Sequence, residues 1–247
     1  MNKAQSLGPL VTKLELWAQL EPNERAAILT LPHRLERVDA NRYIVREGDF
    51  PRVNCLLTSG FAIRHKILGD GSRSISAIHM RGDVLDLQNS LLGKADHNVQ
   101  TVTPADVAFI PRDAIQKLAV DYPRVGLAMW YDTLVDGSIF REWIANIARR
   151  DGLERLAHLL CEFGLRLEYA QIGSRTDYEL PLTQEQLADA TGMTPVHINR
   201  VLKELEQRGL ITRSIRAVGI ADWDRLSKAA DFSSDYLHLK ERAPLLA

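Results

Sequence analysis

The stretch Leu182 to Ile211, LTQEQLADATGMTPVHINRVLKELEQRGLI, restricts the possible folds more than any other part of the chain. Thr183 stands before Gln184-Glu185-Gln186, so a hydroxyl cap with a reciprocal glutamine starts a helix at Gln184 that runs to about Thr191. Gly192 ends it, because glycine reaches positive φ at little cost and lets the chain turn sharply. Thr194 followed by Pro195 then restarts a helix, with a second hydroxyl cap and with proline at the first position, where no N–H is needed. This second helix is expected to run to Gly209. Its Ile198, Val201, Leu202 and Leu205 fall in one narrow apolar stripe, faced by Leu187 and the small Ala188 of the first helix. Two short helices joined by a three-residue glycine turn have the layout of a helix-turn-helix.

The polar side of the second helix carries the chemistry. His197, Asn199, Arg200 and Lys203 lie off the stripe near the amino end, where a recognition helix meets base edges. Arginine can pair with O6 and N7 of guanine, Asn and His donate or accept at base edges, and lysine and the first N–H groups of a helix suit phosphate. Between Thr183 and Arg216 five basic residues stand against four acidic ones, a net of +1 and a weak patch. The bland alternative is a helical hairpin with a solvated face. GLITRSIRAVGI, which follows, weighs against it: two β-prone pieces flank basic residues in the shape of a wing beside a phosphate backbone.

The rest of the chain has two characters. From about His33 to Ile110 glycine turns cut it into short stretches rich in Val, Ile, Leu and Phe, including runs at Phe61–Leu68 and Ser74–Met80 joined by an Asp-Gly turn. Many short strands at this spacing predict a sandwich or barrel. After Pro111, IQKLAVDYP reads as a short helix stopped at Pro123, and a long helix follows to Arg150, in which Phe140, Trp143 and Ile147 share a face. Trp130 and Trp143 mark either a seam against another helix, such as a second subunit's, or packing on the chain's own β domain, and spacing does not choose. Asp151, with Glu154 three residues later, caps a further helix striped by Leu153, Leu156 and Leu160. The segments are therefore 1–122, 123–150 and 151–247.

Composition excludes several classes. The 247 residues, 45% hydrophobic and 26% charged, contain no run of ~18 apolar residues and no charged-then-apolar leader, so the chain reads as soluble, unexported, without a membrane partner, and cytoplasmic. A net charge of −1 leaves nucleic-acid attraction to a local patch. Cys55 and Cys161 are too few and too far apart for a disulfide framework or an iron–sulfur site and read as reduced core residues. His158 and Cys161, at i and i+3, are too few ligands for zinc, so no metal is expected. His65, His79 and His97 could gather inside the roll, but read more readily as scattered surface residues. No nucleophile elbow or phosphate-binding glycine loop points to an enzyme.

With the motif PLTQEQLADATGMTPVHINRVLKELEQRGLI, the β-rich pieces REGD, LLTSGFAIRH and MRGDVL, and EWIANIARRDGLERLAHLLCEF, the chain resembles the Crp/Fnr family of bacterial transcription regulators over nearly its whole length, TPVHINR marking a subgroup. The resemblance implies an α+β protein: an N-terminal double-stranded β-helix (jelly-roll) like a cyclic-nucleotide-binding domain, a long dimerisation helix at 123–150 and a C-terminal winged helix-turn-helix. It implies a homodimer reading a two-fold symmetric operator in double-stranded DNA, with half-sites ~34 Å apart, and contact with RNA polymerase. The DNA-contacting set is then Thr183, Gln184, Thr194, Pro195, Val196, His197, Asn199, Arg200 and Lys203. The family's Arg-Glu base readers fall on Pro195 and Val196, and its third reader on Arg200, so the bases read should differ, with Val196 against a thymine methyl. The family's Gly-Glu and Arg-Ser pairs, which hold the ribose and cyclic phosphate, fall on Asp86-Leu87 and His97-Asn98, which leaves the phosphate without its arginine. Neither cyclic AMP nor an iron–sulfur cluster is expected, and the effector is open. The competing reading is a small-ligand sensor whose C-terminal helices serve protein contacts.

Overall fold

The computed structural model describes residues 6–239. They fall into two compact units, one made of residues up to 66, 77–137 and those from 238, the other of 138–237 together with 67–76. The division passes between Gly137 and Ser138, inside a single helix.

The first unit begins with two helices that the sequence reading did not assign, α1 (Gly8–Leu14) and α2 (Pro22–Leu29). Strands β1 (Arg34–Val38), β2 (Tyr43–Val45), β3 (Val53–Ser59), β4 (Ala62–Ile67), β5 (Arg73–His79), β6 (Asn98–Thr101) and β7 (Ala105–Pro111) follow, Ile67 and Arg73 to Ser76 at the β4–β5 turn counting with the second unit, then α3 (Arg112–Asp121) and the first half of α4 (Pro123–Arg149). The strands form two antiparallel sheets, ordered β1-β7-β3 and β2-β6-β4-β5. Alternation on β3 explains how they are filled. Cys55 and Leu57 turn into one apolar cluster with Val45, Ala62, Val99 and Val107, drawn from both sheets, so the roll closes on its own side chains. Leu56, between them, turns the other way and joins Leu10, Leu14, Ile28, Ile110, Ile115, Val125 and Met129 under the helices. Gly60 joins β3 to β4 at φ 83°, and a Cβ there would come within 2.6 Å of the Pro104 carbonyl oxygen, so glycine is required.

Three polar contacts pin α4 to this unit. The Lys13 ammonium lies 2.8 Å from Asp83 and 3.5 Å from Asp132, Trp17 Nε1 donates to Asp132 at 3.0 Å, and Arg64 donates to both oxygens of Asp136 at 2.7 Å. The surface placement expected for three histidines is corrected here: His65, His79 and His97 are all buried. Strand alternation turns His65 inward with Ile63, against the ring of Tyr43. His79 ends β5 beside Asp83, and His97 Nδ1 donates to the Asp96 carboxylate, 2.6 Å away.

The second unit holds the end of α4, α5 (Gly152–Tyr169), β8 (Asp177–Glu179), α6 (Gln184–Thr191), α7 (Pro195–Gln207), β9 (Thr212–Arg213), β10 (Ala217–Gly219) and α8 (Trp223–Ala229). The cap at Asp151 forms as expected: its Oδ1 accepts from the N–H groups of Leu153 and Glu154, and Glu154 accepts from the Asp151 N–H. Burial divides the shared face of Phe140, Trp143 and Ile147: Trp143 is buried and donates to Glu162 at 2.9 Å, whereas the other two stay exposed, because residues three or four apart still point about 40° to 60° apart and Trp143 lies at the inner edge. Both cysteines are free and buried, and burial pushes their thiols up, Cys161 to about 12.

Candidate nucleic-acid interface

The helical pair is assembled by the residues that the sequence marks for it. Thr183 Oγ1 accepts from the Gln186 N–H at 3.1 Å, and the Gln186 side chain accepts from the Thr183 N–H at 2.9 Å, closing the cap of α6. Gly192 follows in the left-handed region, φ 66°. Thr194 Oγ1 accepts from the His197 N–H at 3.2 Å, with Pro195 at the first position of α7. Leu187 and Ala188 pack with Ile198, Val201, Leu202 and Leu205, all buried. The second helix is shorter than expected: it ends at Gln207, and Gly209, at φ 63°, lies beyond its cap. β9 and β10 form the wing, and β8 adds a third strand in the order β8-β10-β9.

Of the nine residues singled out for DNA contact, Thr183, Gln184, Thr194, Pro195, Val196, Arg200 and Lys203 are exposed, and Asn199 is half-buried. Val196 stands 82% exposed. His197 is half-buried because its imidazole lies over Gly152 at the start of α5. A cleft of about 270 Å³ separates the start of α6 from the wing, lined by Thr183, Gln184, Leu187, Leu202, Arg213 and Ile215.

Pairing concentrates the charge. Arg208 is bonded to Glu204, Arg213 lies 2.7 Å from Glu206, and Arg216 lies 3.7 Å from Glu179. Asp189 of α6 is held at 2.7 Å by Arg73, which belongs to the same unit. Among the described residues Arg200 and Lys203 have no carboxylate within ion-pair distance, so a stretch with a net of only +1 presents its two unneutralised cations together on α7.

Sequence reasoning missed Arg155. Its guanidinium donates to the carbonyls of Thr191 at 2.8 Å, Ile147 at 3.0 Å and Arg150 at 3.0 Å, satisfying the carbonyl ends of α6 and α4 at once. Its partners are backbone atoms, which leave no mark in sequence.

Two family profiles match the chain, that of the cyclic nucleotide-binding domain over residues 35–122 and that of the Crp-like helix-turn-helix domain over residues 154–229. The chain belongs to the Crp/Fnr family. It is similar to the transcriptional activator FnrL of Cereibacter sphaeroides, 24% identical over 79% of this chain and 80% of that one. A probable transcriptional activator of Rhizobium leguminosarum bv. viciae is 22% identical over 79% and 81%. Among solved structures, FixK2 of Bradyrhizobium japonicum superposes with a TM-score of 0.75 at 21% identity, covering 82% of this chain and all of that one. This Crp/Fnr protein is accordingly a DNA-binding transcription regulator of a dimerising kind. No helix among its described residues is long and apolar enough to cross a membrane.

In this Crp/Fnr chain the positions onto which the sequence reading sets the family's nucleotide-holding pairs are engaged internally. Asp86 is fully buried, its Oδ1 accepts from the Cys55 N–H at 2.8 Å, and burial raises its carboxyl to about 7. Asn98 Oδ1 accepts from the Glu47 N–H at 3.0 Å. His97 is buried between Asp96 and Gln88, and burial pushes its imidazole below the usual histidine range.

Proposed function

We propose that the protein works as a homodimer that reads a two-fold symmetric operator in the cytoplasm by laying α7 in the major groove. The observation that carries this reading is the pair Arg200 and Lys203, exposed and unneutralised on a helix whose start is fixed by Thr194 and Pro195. Arg200 reads a base edge, guanine by preference; Asn199 and His197 supply polar contacts beside it; Val196 meets a thymine methyl. Lys203, Thr183, Gln184, Thr194 and Pro195 sit against phosphate through side chains or helix-start N–H groups.

Dimerisation runs along α4. Leu127, Trp130 and Leu134 in the first unit, and Phe140, Ile144 and Ile147 in the second, are large, apolar and exposed on α4, and exposed apolar side chains in this number on a single helix suit a second helix like itself. RNA polymerase is the further partner through which such a regulator acts.

Cyclic AMP is not the effector in this reading. Asp86 is buried with its carboxyl on the Cys55 N–H and offers a ribose nothing, and His97, already held by Asp96, supplies no fixed positive charge for the phosphate. The test is selection of bound duplexes from a random pool, repeated at several salt concentrations. It should enrich a two-fold symmetric site with half-sites about one helical turn apart and a steep salt dependence. A pool that stays random would refute the reading.

A further inference from the structure

The match to the helix-turn-helix family stops at residue 229, yet the chain that follows is built into the second unit. After α8 the backbone turns through Asp231 at φ 47° and runs to a short 3-10 turn at Asp235–Leu237. Asp231 accepts from Arg150 twice over, at its carbonyl oxygen (3.0 Å) and at Oδ2 (3.3 Å), and the same arginine donates to Glu142 at 2.7 Å. Phe232 stands edge-on to His158 with ring centres 5.1 Å apart. Tyr236 stacks on that imidazole at 5.8 Å, and its hydroxyl donates to Glu162 at 2.8 Å. Glu162 accepts from Trp143 Nε1 as well. His158, Glu162 and Leu237 are all but inaccessible to solvent.

Every one of these contacts reaches the corner between α4 and α5. Glu142, Trp143 and Arg150 come from the last turns of α4 and the residue after it; His158 and Glu162 come from α5. Only Arg150 and Asp151 lie between the two helices, a connection too short to cushion any change in their angle. Glu162 Oε1 pairs with Arg166 at 3.4 Å, while Oε2 is shared by an indole N–H from one helix and a phenol from the tail, which holds both in one geometry, since releasing either donor removes one of the two bonds to an oxygen that water does not reach.

We propose that residues 231–237 are a strap that fixes the direction in which α5, and with it α6 and α7, departs from the end of α4, and that Asp231 and Tyr236 are positioning residues for DNA reading. The inference rests on the reading of α7 as the base-reading helix. In a two-fold dimer the angle at this corner sets the distance between the two copies of α7, so the strap governs half-site spacing and not the bases within a half-site.

The experiment compares wild type with Asp231→Ala, Asp231→Asn and Tyr236→Phe in two measurements: selection of duplexes from a pool randomised in half-site spacing, and hydrogen exchange of the amides around residues 149–155. Asp231→Ala and Tyr236→Phe should keep the wild-type half-site bases, accept several spacings where wild type prefers one, and exchange at the corner about tenfold faster. Asp231→Asn, which keeps both acceptor oxygens and tolerates positive φ, should behave as wild type. Tyr236→Phe removes a single oxygen and keeps the ring, so it answers even if Asp231→Ala does not fold. Unchanged spacing and unchanged exchange in Tyr236→Phe would overturn the proposal. If wild type itself selects no site, the reading of α7 fails, and the exchange rates alone decide whether the strap holds the corner.

Discussion

The imidazole of His197 occupies the space that a side chain at Gly152 would need: a Cβ on Gly152 would lie 2.8 Å from Nε2, 2.9 Å from Cε1 and 3.2 Å from Met193 Sδ. The first residue of α5 is therefore glycine because the first turn of α7 leans on it. Alanine is the better helix former by up to about 1 kcal/mol, so with an alanine already at 197, Gly152→Ala should stabilise slightly. With His197 present the same change forces the ring aside and should be neutral or destabilising. A double-mutant cycle by denaturant unfolding should give a coupling of about 0.5 to 2 kcal/mol; strictly additive effects would show that the ring moves freely and that the contact has no weight.

Arg200 and Lys203 should fail differently. Arg200→Ala should cost about 1 to 3 kcal/mol at one base pair and relax the preference there, leaving other positions as they were. Lys203→Ala should weaken binding to all sequences alike and lower the salt slope by about one. Selected-pool sequencing and binding titrations across salt separate the two; a uniform loss from Arg200→Ala would remove it from base reading.

The parts of the site that are legible in sequence are those whose partners lie close by in the chain. Thr183 and Gln186, Thr194 and the His197 N–H, and Asp151 and Glu154 are each three residues apart, so the residue letters and the geometry carry the same information. Arg155 reaches Thr191 across 36 positions and ends on a carbonyl; Arg73 reaches Asp189 across 116. Neither separation leaves a pattern. Charge counting misleads for the same reason, since the net of +1 hides which cations are neutralised by Glu179, Glu204 and Glu206 and which two, Arg200 and Lys203, are not. A polar letter says nothing of the inward turn that strand alternation imposes on His65, so the histidines of the roll read as surface residues. Trp143 was grouped with its neighbours because helical spacing gives a face only to within a residue's width, and a long helix packed on one side and bare on the other is divided at that width.

The bare side of α4 gives a third prediction. Ile144 is 57% exposed in the single chain. If it meets its equivalent across a two-fold axis, Ile144→Asp places two like charges in an apolar seam and should yield a monomer by sedimentation, with operator affinity lost at least tenfold and the fold retained by circular dichroism. A dimer that survives this change assembles through some other surface.

Asp86 gives a fourth, in the β-roll. Burial raises its carboxyl from 3.8 to about 7, so between those values the folded chain keeps a proton that the unfolded chain has released. The stability it confers is fully present below pH 3.8 and is lost as pH rises through 7. Asp86→Asn keeps an oxygen for the Cys55 N–H and never ionises. It should be more stable than wild type at pH 8, by on the order of 1 to 3 kcal/mol, and lose most of that advantage by pH 5, in urea unfolding at the two values. A variant equally destabilised at both would place the role of Asp86 in packing.

His158 has the opposite sign. Burial, reinforced by the nearby Arg150 charge and opposed by Glu142, lowers its imidazole from 6.5 to about 4. Above pH 6.5 neither state holds the proton, and the contribution of His158 to stability is complete. As pH falls from 6.5 toward 4 the unfolded chain binds a proton that the folded chain refuses, so stability declines across that window. His158→Phe keeps a ring between Phe232 and Tyr236 and cannot be protonated, so it should lessen the loss between pH 7.5 and 5 by about 1 to 2 kcal/mol relative to wild type. Asp86 pulls the other way over part of the same range, which is why each slope must be read from its own substitution and not from the wild-type curve. An unchanged difference between pH 7.5 and 5 in His158→Phe would mean that His158 takes up its proton in the folded state as readily as in the unfolded one, beside Glu142.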